Sequence, residues 1–163
     1  MSKVVVQSSD LGRPFTPFYF GKQLSADQSG ARRDPERFGR KGGWIARYRR
    51  TGTAQTKGPL IVASRVDVFG NGGGAKKDFA LYTEQLPNVA GTKVDAPTVG
   101  SESAVYTNLQ GSAKVRVRSY TIAWRDHNAT AELELDGFER GFALPQALAI
   151  ARKQEARLRR AAR

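Results

Sequence analysis

Three groups of side chains in this sequence have types and spacing that could do chemistry. The first is His127, the only histidine, set beside Asp126 in the polar run Arg125-Asp126-His127-Asn128. A histidine beside an acid becomes a general base when a serine hydroxyl is hydrogen-bonded to its ring, and Ser101 and Ser103 are the serines to consider. One histidine falls short of the usual zinc ligand set, although carboxylates could assist. The plainer reading is a histidine exposed in a turn.

The second group is Glu132, Glu134 and Asp136, which alternate along one strand. Paired carboxylates can perform acid–base work. The simpler reading is a hydrated strand face, paired across strands with Arg116 and Arg118.

The third group mixes cations with rings, in Trp44-Ile45-Ala46-Arg47-Tyr48-Arg49-Arg50. Nucleic-acid binders use such mixtures, cations for phosphates and rings for bases. No RNP motif, zinc finger, helix-turn-helix or Gly-x-x-Gly clamp accompanies it. The glycine run Gly70 to Gly74 invites a phosphate-loop reading, but neither a Walker sequence nor a full Gly-x-Gly-x-x-Gly is present. A permissive turn is expected there. The chain is therefore read as non-enzymatic, with no catalytic residue, no metal and no cofactor.

Composition sets the class of partner. A formal net charge of +12 on 163 residues draws the chain toward polyanions: nucleic acid, anionic lipid or acidic wall polymer. An arginine-rich composition without function gives the same charge. The expected anion-binding residues are Arg32, Arg33, Arg37, Arg40, Lys41, Arg47, Arg49, Arg50, Arg152, Lys153, Arg157, Arg159 and Arg160. The expected aromatic contacts are Trp44, Tyr48, Tyr120 and Trp124. The absence of cysteine removes disulfides, thiolate catalysis and cysteine-bound metal. No apolar run is long enough for a membrane-spanning helix. Met1-Ser-Lys is followed by only three valines, too short for a signal peptide, so a cytoplasmic protein is expected if Met1 is the true start.

These residues must be positioned by a scaffold, and the stretch from Lys114 to Arg163 organises it. Val115 and Val117 alternate with Arg116 and Arg118, and the phase then slips, because Tyr120, Ile122 and Trp124 follow. A β-bulge near Arg118-Ser119 accounts for the slip, and so does burial of both strand faces. After a polar hairpin turn, Ala129, Ala131, Leu133 and Leu135 point one way, with Thr130, Glu132, Glu134 and Asp136 toward water. Pro145 suits the first turn of a helix whose apolar stripe includes Leu144, Leu148, Ala151 and Leu158.

Upstream, Lys3 to Gln7 is β-prone, and Ser8 to Gly12 reads as a turn or single helical turn. Phe15, Phe18, Tyr19 and Phe20, interleaved with Pro14 and Pro17, are expected to plug a sheet face; a ligand-stacking platform is the sharper reading. A flexible basic loop spans about 22–43. Gly43 to Arg50 and Pro59 to Phe69 make a hairpin. Ala75 to Leu86 reads as a helix stopped by Pro87, Val89 to Thr98 as a linker, and Val99 to Asn108 as a short strand. The fold class is α+β: one domain, 1–163, with a single antiparallel β-sheet of five or six strands and two helices packed on it.

The element order strand–strand–helix–strand–strand–strand–helix resembles that of the small envelope proteins of high-GC bacteria, including lipoproteins with a PsbP-like fold. The similar stretches are Ser9-Asp10-Leu11-Gly12, Arg65-Val66-Asp67-Val68-Phe69 followed by Gly74-Ala75, and Val99-Gly100-Ser101-Glu102-Ser103. Trp124-Arg125-Asp126-His127-Asn128 and the terminal run from Ala151 to Leu158 complete them. The resemblance spans most of the chain. It implies an exported, extracytoplasmic domain that binds or senses rather than catalyses. The chain departs from those proteins in having neither a lipid-bearing cysteine nor a signal sequence.

The leading expectation is a non-enzymatic binding or sensing domain of the bacterial cell envelope, its positive surface facing an anionic polymer or membrane surface. The alternative is a cytoplasmic nucleic-acid-binding protein using Arg32 to Arg50 and the Arg152 to Arg163 tail. An enzyme with a pocket between sheet and C-terminal helix is a third class.

Overall fold

The computed structural model describes residues 2–12, 14–24 and 35–161. In chain order the elements are α1 (Ser8–Leu11), β1 (Thr16–Lys22), a 3-10 turn (Pro35–Phe38), β2 (Arg40–Arg49) and β3 (Ile61–Phe69). They continue with α2 (Gly72–Val89), β4 (Thr92–Val94), β5 (Glu102–Gly111), β6 (Arg116–Asp126), β7 (Ala129–Phe138) and α3 (Leu144–Ala161). All strands form one antiparallel sheet in the order β1-β2-β3-β7-β6-β5-β4. The α+β class with a single antiparallel sheet is as expected. Among the described residues the sheet has seven strands, because β1 and β4 add an edge on each side.

Register explains how the two helices share the sheet. Trp44, Val66, Ala131 and Trp124 lie in one cross-strand row, so their side chains share a face. That face holds Ala46, Tyr48, Val62, Ile122, Leu133 and Leu135, and is closed by Ala147, Leu148, Ala151 and Leu158 of α3 and by Val4, Val5 and Val6. On the other face Ala104, Tyr106 and Ala123 meet Phe79, Tyr82 and Leu86 of α2. The helices therefore lie on opposite faces, and the middle of the sheet is covered twice.

Double coverage resolves the phase slip in β6. Its register with β5 and β7 is continuous, so no bulge is present. Tyr120 to Trp124 are all buried because α3 takes the even positions and α2 the odd ones. The same cause corrects the reading of β7. Thr130 and Glu132, expected in water, are buried at 3% and 6% exposure under α2.

Other differences are local. The valines after Lys3 do not form a strand; they lie over the sheet, where Tyr48 Oη donates to Val6 O (2.9 Å) and Val6 N donates to Ser64 Oγ (3.0 Å). Their backbone needs are met by side chains, so their β-propensity has no ladder to join. Helix α2 begins at Gly72, with Asn71 capping Gly74 N at 2.9 Å. A Cβ on Gly74 would sit 2.2 Å from Phe38 O, so the glycine run serves close packing. The helix also continues through Pro87 to Val89; near a terminus the missing N–H removes only one bond. The supposed linker holds β4, and Lys22 and residues 40–43, expected in the basic loop, belong to β1 and β2; residues 25–34 of that loop lie outside the described residues.

Leu133 sits fully buried on the central strand β7. Leu133→Ala is expected to lower unfolding free energy by about 2–5 kcal/mol, read from the denaturant midpoint.

Candidate functional site

Strand β2 alternates by size and charge. Ala46 and Tyr48 point to the α3 core, so Arg47 and Arg49 must point to the opposite face, where both are exposed. Helix α2 does not reach this corner. Strand β1 pairs along β2 and lies at the sheet edge. Pro17 suits an edge position, and the β1–β2 register shifts between Pro17 and Tyr19.

The shift turns Phe18 and Tyr19 toward the arginines. The Arg47 guanidinium lies 5.8 Å from the Tyr19 ring centroid, and that of Arg49 lies 5.7 Å from Phe18. Phe20 falls on the other face, edge-on to Trp44 with centroids 5.6 Å apart. Phe18, Tyr19 and Phe20 remain 48%, 42% and 45% exposed. Arg50 stacks over Phe15 at 4.9 Å and donates to the Pro59 and Lys57 carbonyls. An open cleft follows, lined by Pro14, Thr16, Arg49, Arg50 and Thr51. A second cleft, around Lys22, Lys41 and Trp44, lies at the other end of β1. This corner presents cations and rings together to solvent.

The carboxylates of β7 behave differently. Glu132 is ion-paired with Arg65 beneath α2, and the Arg65 guanidinium lies 5.4 Å from the Tyr82 ring. Burial alone would lower the Arg65 pKa, but the Glu132 carboxylate holds it above its ordinary value. Burial also pushes the Tyr82 hydroxyl up. Glu134, two residues on and exposed to solvent, is pushed up to about 8, first by the Glu132 charge. Arg116 and Arg118 pair with Glu139 instead. A raised carboxyl beside a second carboxylate is an arrangement acid–base catalysts use, yet Glu132 is tied up by Arg65.

The Asp126–His127 pair forms no triad. Ser101 Oγ donates to Asp126 Oδ1 at 2.6 Å, while His127 Nδ1 lies 3.2 Å from Asp126 Oδ2. The serine is thus bonded to the acid and not to the imidazole, so the imidazole is not placed to take its proton. Arg159 also reaches Asp126 (3.3 Å) and Glu155 (2.7 Å), and Glu155 accepts from Trp124 Nε1 (2.7 Å). The group ties the β6–β7 turn to α3. Ser103 Oγ accepts from Val99 N. Among the described residues, no three His, Cys, Asp or Glu side chains stand together to hold a metal ion.

The structure divides the expected anion-binding set. Arg47, Arg49 and Arg50 share one corner with Phe18 and Tyr19. Arg40 is taken by Asp67 (2.5 Å), Glu36 (3.0 Å) and the Gln23 carbonyl (2.7 Å). Arg37 stacks on Phe38. On α3, which covers the opposite face, Arg157 binds Asp10, Lys153 donates to the Asp10 carbonyl, Arg160 to Ala156, and Arg152 is exposed. Arg32, Arg33 and Arg163 lie outside the described residues. Of the aromatic candidates, Tyr48, Tyr120 and Trp124 are buried in the α3 core, and Trp44 is half-buried behind Phe20. The rings that face solvent are Phe18, Tyr19 and Phe20, which were expected to plug the sheet. Pro14 and Pro17 beside them were the available signal, since proline marks an edge.

No protein-family model matches the sequence, and no curated protein matches it. The fold is similar to that in the crystal structure of the extracellular domain of PknH from Mycobacterium tuberculosis. The TM-score is 0.63 at 13% identity, over 98% of this chain and 95% of that one. At such identity the likeness concerns the fold. No helix among the described residues is long and apolar enough to cross a membrane.

Two outcomes test the β7 cluster. Glu132→Gln strands the Arg65 charge beneath α2 and is expected to cost about 3–5 kcal/mol, whereas Arg65→Met with Glu132→Leu regains most of it. Glu134 has a folded pKa of about 8 against an ordinary 4.5, so the folded state holds the extra proton between these values. Its contribution to stability therefore falls as pH rises from about 4.5 to about 8. Glu134→Gln should flatten the pH dependence of the urea midpoint across that window.

Proposed function

We propose that this chain is a non-enzymatic binding or sensing domain of the bacterial cell envelope, and that it takes an anionic partner at the β1–β2 corner. The observation that carries the reading is the exposed set Arg47, Arg49, Phe18 and Tyr19, in which each guanidinium lies within cation–π reach of a ring. A guanidinium held beside a ring keeps its outward N–H groups for phosphate or carboxylate oxygens. The likeness to an extracellular domain over nearly the whole chain supports the envelope assignment. The PsbP-like description belongs to the same proposal.

A second reading is a nucleic-acid-binding protein. Phe18 and Tyr19 lie beside Arg47 and Arg49, a combination single-strand binders use to stack bases and hold phosphates.

Titration of a soluble poly(glycerol phosphate) and of a single-stranded oligonucleotide, each across a salt series, separates the two. The first reading expects the polymer to bind at least as tightly as the oligonucleotide at physiological salt. Preference for the oligonucleotide favours the second, and binding of neither refutes both. Replacing Arg47 and Arg49 with Gln should weaken polymer binding and reduce the oligonucleotide log–log salt slope by roughly 1–2.

A further inference from the structure

The β1–β2 corner differs from a one-faced stacking platform. Phe18 and Tyr19 lie on the face of Arg47 and Arg49, but Phe20 lies on the other, against Trp44. Ile61, paired with Arg49 across β2–β3, adds a fourth apolar side chain at 42% exposure. The edge strand therefore shows rings on both of its sides, with Lys22, Lys41, Arg47 and Arg49 behind them. A base-stacking surface needs rings on one side only. A strand edge with rings on both sides is shaped to enter a medium that surrounds it.

The same edge is ill-suited to pairing with another strand. Pro17 has no N–H to offer, and the register shift next to it disturbs the regular ladder, two devices that keep edges from accepting partners. A second copy of this chain, added strand to strand, is therefore disfavoured.

We infer that the β1 edge docks on an anionic lipid bilayer, with Phe18, Tyr19 and Phe20 entering the interface and Arg47 and Arg49 resting on headgroup phosphates. The inference rests on the function proposed above and names the source of its anionic partner. Aromatic side chains favour the membrane–water interface. Long cationic side chains lay their stems along apolar surface while their heads stay with the phosphates. Apolar burial and attraction to anionic lipid then add. The positive formal charge of the chain acts in the same direction.

The test is sedimentation with vesicles of phosphatidylcholine, with and without phosphatidylglycerol, at physiological salt, beside titration of the soluble poly(glycerol phosphate). Wild-type protein should sediment with the phosphatidylglycerol vesicles only. Trp44 emission should shift to the blue and be quenched by brominated acyl chains, while the core residue Trp124 is unaffected. Phe20→Ser, at an exposed position and checked by thermal unfolding, should weaken vesicle binding roughly tenfold and leave polymer binding unchanged. Polymer binding without vesicle binding overturns this inference and leaves the proposed function standing, whereas binding of neither refutes both. Vesicle binding insensitive to Phe20→Ser means adsorption by charge alone and also overturns the inference.

Discussion

The structure depends on the burial of β7 on both faces. Held between β3 and β6 and covered by a helix on each side, the first half of this strand has no wet side, so its buried polar groups Thr130 and Glu132 need partners within the protein. Glu132 finds Arg65, Thr130 finds Asp78 at 2.9 Å, and Asp136 accepts from Ser119 at 2.6 Å. These pairings decide where α2 can lie, because the helix must seal the Arg65–Glu132 pair. Once it does, it cannot also cover the far corner of the sheet. The exposed arginines of β2 are what remains beyond its reach.

Much of the scaffold was legible because local patterns carried it. Alternation at Val62 to Phe69 and at Ala129 to Leu135 marked the central strands, and the spacing of Leu144, Leu148 and Ala151 marked α3. What alternation could not show was a second cover. Glu132 on a strand reads as wet unless one knows that Phe79 and Tyr82 lie above it, which is a long-range fact. Trp44 and Tyr48 looked like a binding surface because they alternate with arginines. Alternation also means that rings and arginines point opposite ways, and the rings went to the core. Phe18 and Tyr19 reach the arginines through a register shift on the neighbouring strand, which the β2 sequence does not contain.

The cations divide by what lies nearby. On α3, Arg157 and Lys153 fasten α1, and Arg159 fastens the β6–β7 turn, so those charges serve the fold. Arg40 does the same for Asp67 at the opening of β2. Arg47 and Arg49 have rings beside them, and their donors are left for an outside acceptor. Among the described residues, exposed cations and exposed rings come together at the β1–β2 corner.

Ser64 and Gln154 join sheet to helix in the α3 interface, as Trp124 and Glu155 do. Ser64 Oγ donates to Gln154 Oε1 at 2.9 Å, and Gln154 Nε2 donates to Arg65 O at 3.2 Å. Leucines and alanines around them would allow α3 to settle one turn along with little loss of contact. The serine–glutamine link does not, since any sliding strands a hydroxyl and an amide in a dry layer. It works as a key in a slot, fixing one seating of the helix. Because Arg65 belongs to both linkages, through its backbone carbonyl on one side and its guanidinium on the other, a single residue sets the alignment of the two outer layers about the sheet.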